Sequence, residues 1–263
     1  MLSYDTASRQ SQGARPYQED AAAVWPGSDP MVAELPSTPP ADTRLLAVLA
    51  DGMGGHAGGA LASNLACTAF LARYVEGDAD IVQRLALSLD EANSAIAQRV
   101  DDEPGLQGMG STFVALAFGP ESAHWISVGD SPLYLFRRGE LARLNEDHSL
   151  APLLDKLVAS GKLAPEAAKT DPRRHYLRSA VTGEDLDLID ASERPLVLER
   201  GDLLVLASDG LLTLTDDEIG RVLQGFQMES VDAIADALMR GVMAVGDPHQ
   251  DNTSVIVVRV LAG

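Results

Sequence analysis

A chain of 263 residues can hold one large domain or two small ones, and 46% apolar with 22% charged residues is ordinary for a protein with a sizeable core. Its net charge of −19, with no basic patch, excludes a general nucleic-acid binder. One cysteine, Cys67, excludes an internal disulfide framework and leaves that residue as a small core side chain. No apolar leader precedes Asp20 and no aliphatic run approaches membrane-spanning length, so the expectation is a cytoplasmic, monomeric domain without a membrane role.

The first notable segment is Gly13-Ala14-Arg15-Pro16-Tyr17-Gln18-Glu19-Asp20, leading into the apolar run Ala21–Trp25. Taken alone, its arginine and two acids read as a surface ion pair, although they could also set a guanidinium beside metal-binding carboxylates. Residues 26–43 hold five prolines and no periodicity, which predicts a loop between strands and a mobile insertion. Leu45–Ala50 is a short continuous apolar run, hence a buried strand. It leads into the glycine-rich Asp51-Gly52-Met53-Gly54-Gly55-His56, whose backbone can approach an ion closely, and then a helical pattern over 60–76.

A second helix is predicted over 81–100, where Ile81, Leu85, Leu89, Ala92, Ile96 and Val100 share one face. Three runs follow as strands of a meander: Thr112–Phe118, Ala123–Val128 and Leu133–Arg137. Residues 147–183 read as a partly helical excursion, containing the basic Arg173-Arg174-His175, and so as a candidate flap. The strand Leu203–Ala207 runs into Ser208-Asp209-Gly210. Thr215 and Glu218 have capping-box spacing, a further helix follows Ser230, and Thr253–Val260 reads as a buried strand.

Asp51, Asp130 and Asp209 each follow a core strand, and Asp251 precedes one. A single aspartate at a strand end is ordinary turn chemistry. If these strands pair or stack, however, the carboxylates converge and need a compensating cation. Oxygen donors without Cys/His spacing select Mg²⁺ or Mn²⁺ over Zn²⁺. A pair of such ions would activate water for attack on phosphorus.

The ordered set Arg15…Glu19-Asp20, Asp51 to His56, Gly110-Ser111-Thr112, Val128-Gly129-Asp130-Ser131, Asp147-His148-Ser149, Gly201-Asp202…Ser208-Asp209-Gly210 and Asp251-Asn252 covers nearly the whole chain. It resembles the metal-dependent protein phosphatases of the type 2C (PPM) family, in their stand-alone bacterial form. The resemblance implies a single α+β domain over 1–263. Its form would be a four-layer α-β-β-α sandwich, two stacked antiparallel sheets flanked by helices, with the flap at about 147–183. It also implies hydrolysis of phosphoserine and phosphothreonine on proteins by a water or hydroxide bridging a binuclear Mn²⁺/Mg²⁺ site, opposing a cognate serine/threonine kinase.

By position, the resemblance makes Asp51 the bridge between the metals, with the Gly52 carbonyl on the first. Asp209 and Asp251 complete the second, Glu19 assists through water, and Asp20 lies close by. It gives Arg15 the phosphate, and Asp130 with Asp209 a third, weaker metal site. Three positions depart from the family pattern: Gln18 for asparagine, Pro132 for an arginine near the third site, and Met53 for a histidine proposed as general acid. His56 does not inherit that role and reads as structural. Two rival functions are a phosphoprotein-binding pseudophosphatase and a phosphatase dedicated to one regulator, such as an anti-anti-sigma factor; the complete acid set argues against the first.

Overall fold

The structure is a computed structural model that describes residues 2–54 and 57–263. The structural reading of His56 lies outside them. In chain order, β1 is Leu2–Ser11, β2 Asp20–Trp25 and β3 Leu45–Met53, followed by α1 (Ala57–Glu76) and α2 (Ile81–Asp102). Next come β4 (Gly110–Ser111), β5 (Phe113–Phe118), β6 (Ser122–Val128), β7 (Leu133–Arg137) and β8 (Glu140–Arg143). The flap region contributes α3 (Ala151–Ala159) and α4 (Pro165–Lys169). Then follow β9 (Asp190–Ala191), β10 (Leu196–Val197), β11 (Leu203–Ala207), α5 (Asp216–Phe226), α6 (Val231–Val245) and β12 (Thr253–Ala262). Among the described residues no helix is long and apolar enough to cross a membrane.

Two antiparallel sheets carry the fold. One is ordered β1-β12-β11-β7-β8. The other is ordered β10-β6-β5-β3-β2, with β4 on β3 and β9 on β6. Alternation along each strand divides its side chains between two cores. Leu49, Leu116, Leu206 and Ile256 meet between the sheets. On the outer face of one sheet, Leu46 and Val48 pack with Phe70 of α1 and Leu89 of α2. On the other, Val205 and Val257 pack with Ile219 of α5 and Leu238 of α6. Three apolar seams separate four layers, which is the predicted α-β-β-α sandwich.

The helices begin where local chemistry allows. Thr215 and Glu218 form the capping box of α5, Asp80 caps α2 and Ser230 caps α6. The differences from the sequence reading lie mainly at the edges. β1 was not predicted, because its polar residues alternate with half-buried ones and its single buried residue is Ala7. It is an edge strand held by ten pairings to the apolar β12. β8 is likewise an unforeseen short edge strand, entered through Arg138 and Gly139 at positive φ.

The proline-rich loop also differs from the mobile insertion predicted for it. Val32 is buried, Met31 and Leu35 pack against the α1/α2 core, and Trp25 Nε1 donates to the Pro36 carbonyl at 2.8 Å. Three apolar side chains among the prolines anchor it.

The inter-sheet seam bears most directly on the site, since both sheets contribute acids to it. Leu206 is fully buried there, opposite Leu133 and Ile256. Leu206→Ala is expected to cost about 2–5 kcal/mol of unfolding free energy, read from the midpoint of urea denaturation. A loss below about 1 kcal/mol would show that the seam is not tightly packed at this point.

Candidate metal and phosphate site

One cavity of about 690 Å³ opens at the end of the sandwich. Arg15, Glu19, Asp51, Gly52, Asp130, Asp209 and Asp251 stand on its wall, as do His175 and Arg178 of the flap. All the positions named from sequence come together except Asp20, which lies below the wall. Aspartates 20 and 51 face each other across the β2/β3 ladder. Asp51 is not at the strand end, as its glycine-rich neighbours suggested. β3 continues to Met53 because Gly52 and Met53 pair with Ser111 and Gly110 of β4.

The local backbone is fixed by short polar side chains. The Asp51 N–H donates to Thr112 Oγ1 at 3.1 Å, and its carbonyl accepts from Ser111 Oγ at 2.8 Å and from the Thr112 N–H at 2.9 Å. Gly52 is required by close approach, since a Cβ there would lie 2.2 Å from the Gly59 carbonyl oxygen and 2.5 Å from that of Glu19. Gly210 has the same role beside Asp209, where a Cβ would meet the Asn252 carbonyl oxygen at 2.0 Å.

Asn252 is a positioning residue that the sequence reading missed. Its Oδ1 accepts from the Glu19 N–H at 2.7 Å, and its Nδ2 donates to the carbonyls of Gln12 and Tyr17 at 2.8 and 3.0 Å. It therefore ties the segment carrying Arg15 and Glu19 to the start of β12. Its adjacency to Asp251 was the only sequence signal.

Charge is the dominant physical feature. Asp51 is pushed well above the ordinary carboxylate range, first by burial and then by Asp209, Asp20, Asp130 and Asp251. Asp209 is raised by burial and by Asp251, against the opposing pull of a hydrogen bond from Asp51 and the charges of His175 and Arg15. Asp20 is raised to about 6 by burial, although its Oδ2 accepts from Ser254 Oγ at 2.7 Å and Ser208 Oγ at 2.8 Å. Asp130 is raised to about 7 by burial, then by Asp209 and Asp147, with Arg143 opposing.

That last contact qualifies the charge loss expected from Pro132. Arg143 reaches in from β8, donating to the Asp130 carbonyl at 2.7 Å and lying 3.5 Å from Asp147. A cation is therefore supplied from another strand.

Two buried oxygens, Glu19 Oε1 and Asp20 Oδ1, have no hydrogen-bond partner among the described residues. Orphaned carboxyl oxygens beside a cluster of buried aspartates fit a hard divalent cation. Among the described residues no three His, Cys, Asp or Glu side chains are already gathered so as to hold a metal ion by themselves. The fit rests on Asp51 and Asp209 in contact, on Glu19 and Asp251 from two other segments, and on the exposed face of the Gly52 backbone, with water completing each shell. Arg15 is ion-paired to Asp251 Oδ2, so the guanidinium already lies beside the acids.

Comparison with known proteins identifies the family. A family model described as protein phosphatase 2C matches residues 39–250. The chain belongs to the protein phosphatase 2C family. The matched span includes Asp51, Asp130 and Asp209, while Arg15, Glu19, Asp20 and Asp251 lie just outside it. The serine/threonine protein phosphatase PstP of Mycobacterium tuberculosis is 36% identical over 228 residues, which are 84% of this chain and 41% of that protein. The chain thus spans less than half the length of that relative.

The crystal structure of the Mycobacterium tuberculosis serine/threonine phosphatase PstP/Ppp matches 99% of both chains, with TM-score 0.77 and 32% identity. A structure of the PstP catalytic domain in complex with two manganese ions covers 100% of both chains, with TM-score 0.75 and 32% identity. These type 2C neighbours share the two-sheet sandwich.

The raised carboxylates have a consequence for stability. An acid whose folded pKa exceeds its unfolded value adds stability below the unfolded value and loses it as pH rises through the folded one. For Asp20 the window runs from 3.8 to about 6, and for Asp130 from 3.8 to about 7. In chelator, the melting temperature is expected to be higher near about pH 5 than near about pH 7.5, and Asp130→Asn should reduce that difference. A difference unchanged in the variant would remove Asp130 from the linkage.

Proposed function

We propose that this chain is a Mn²⁺- or Mg²⁺-dependent phosphatase acting on phosphoserine and phosphothreonine in proteins. The observation carrying this reading is the meeting of Asp51, Asp209, Asp251 and Glu19 with Arg15 on one cavity wall. The names of the type 2C relatives support it. Asp51 and Asp209 would share a pair of ions with the Gly52 carbonyl and Asp251, Glu19 and Asp20 would assist through water, and Asp130 with Asp209 would hold a third, weaker ion. When bound, the ions supply Lewis acidity: they polarise phosphoryl oxygens and lower the pKa of water at the site.

The chain's own groups set the geometry of the reaction. Arg15 binds the phosphoryl oxygens through its planar fork of donors. Asn252 holds the loop bearing Arg15 and Glu19 in register with Asp251. Met53 carries no proton to give the leaving seryl or threonyl oxygen, and His175 is the one imidazole on the wall among the described residues. The wider assignment is a cytoplasmic monomer that reverses the work of a serine/threonine kinase.

Hydrolysis of para-nitrophenyl phosphate and of phosphothreonine peptides should require Mn²⁺ or Mg²⁺ and stop on addition of EDTA; turnover surviving EDTA would refute metal dependence. Asp209→Asn should lose more activity than the roughly 10–100-fold typical of groups that only orient a metal ligand. It should remain folded by circular dichroism, and wild-type turnover in that variant would show the site to be misplaced. Arg15→Ala should raise KM by about tenfold with a smaller change in kcat. A fall confined to kcat would instead assign Arg15 to the transition state.

A further inference from the structure

The cavity is larger than a phosphoryl group requires. At about 690 Å³ it lies within the roughly 300–1,000 Å³ range of sites that enclose drug-sized ligands. It therefore has room for residues flanking the phosphorylated one. Most charged groups on the wall are carboxylates; beside those already described, Glu184, Asp185 and Asp187 stand on the rim after the flap. Two arginines face this field, Arg15 and Arg178.

They are not equivalent. Arg15 is engaged by Asp251. The neighbouring arginines of the flap are also engaged, Arg173 by Asp171 at 2.8 Å and Arg174 by both carboxylate oxygens of Asp155 at 2.8 and 3.0 Å. The Arg178 guanidinium is exposed on the wall and makes no hydrogen bond or ion pair with any described residue.

Its backbone, by contrast, is held firmly. The Arg178 N–H donates to the His148 carbonyl at 2.8 Å, and Leu177 bridges to Ser149. At the next residue, Ser179 Oγ donates to the Leu188 carbonyl at 2.9 Å and accepts from the Leu188 N–H at 3.1 Å. A fixed backbone presenting an uncommitted guanidinium into an acidic cavity is arranged for an anion arriving from outside. An ordinary surface arginine would need no such anchoring and would not stand on the wall of the reaction cavity.

We propose that Arg178 is a specificity residue. It binds a second anionic group on the substrate chain, a carboxylate or a second phosphate close in sequence to the phosphate being removed. This rests on the phosphatase reading and extends it to the substrate class. The surrounding carboxylates repel an anionic peptide, so Arg178 is what makes such a substrate acceptable.

The test uses the intact chain with Mn²⁺ and matched phosphothreonine peptides that differ at one nearby residue: asparagine, aspartate or a second phosphothreonine. The aspartate and second-phosphate arms distinguish the two sources of negative charge. The wild type should prefer one or both anionic peptides over the asparagine peptide in kcat/KM by roughly fivefold to tenfold, through KM, with the preference shrinking as salt is raised. Arg178→Ala should bring the ratio close to one, and Arg178→Lys should retain part of it. A wild-type ratio near one, or an unchanged ratio in Arg178→Ala, would overturn the proposal. Failure of the wild type to hydrolyse any of these peptides would instead overturn the phosphatase reading itself.

Discussion

Everything at the open end of this sandwich depends on the mutual repulsion of partly buried carboxylates. Asp20 and Asp51 belong to one sheet, while Asp209 and Asp251 lie at the ends of strands of the other. Burial and mutual repulsion make Asp20, Asp51 and Asp209 hard to ionise where they stand without a cation. The same acids also tie the sheets together, because Asp20 accepts from Ser208 and Ser254, which leave β11 and enter β12. The cluster thus lies on the seam of the fold, and the inter-sheet core formed by Leu49, Leu206 and Ile256 brings its two halves to this spacing.

The surrounding structure consists of positioning devices around that cluster. Gly52 and Gly210 remove side chains where backbones must touch, and Asn252 joins three backbone positions to the strand that starts beside Asp251. Ser111 of β4 and Thr112, between β4 and β5, fix the Asp51 peptide. Residues 147–183 place His175 and Arg178 on the same cavity wall, so the groups proposed for phosphate chemistry and for substrate choice stand on separate elements. On that proposal, specificity would change through residues 147–183 without moving the acids.

How much of this was legible in the sequence follows from where the signal lies. The runs 45–50, 203–207 and 253–260 are apolar enough to be read as core strands from composition alone, and the acids beside them follow from that reading. β1 was not legible, since an edge strand with one buried alanine borrows its apolar support from β12. The anchoring of the proline-rich loop depended on where Val32 lands, which periodicity does not encode. Asp20 was expected close beside Glu19, but sequence adjacency does not encode that Glu19 stands on the cavity wall while Asp20, the first residue of β2, lies beneath it. Asn252 could not be found by spacing, because its partners at positions 12, 17 and 19 are more than 230 residues away in sequence.

The central claim is that the raised carboxylates form a divalent-cation site. Calorimetric titration with Mn²⁺ near about pH 6, in two buffers of different ionisation enthalpy, tests it most directly, because it reads binding and proton exchange together. The account predicts saturable binding accompanied by proton release, with both weakened in Asp209→Asn. Absence of binding, binding without proton release, or an Asp209→Asn variant that titrates like the wild type would contradict it.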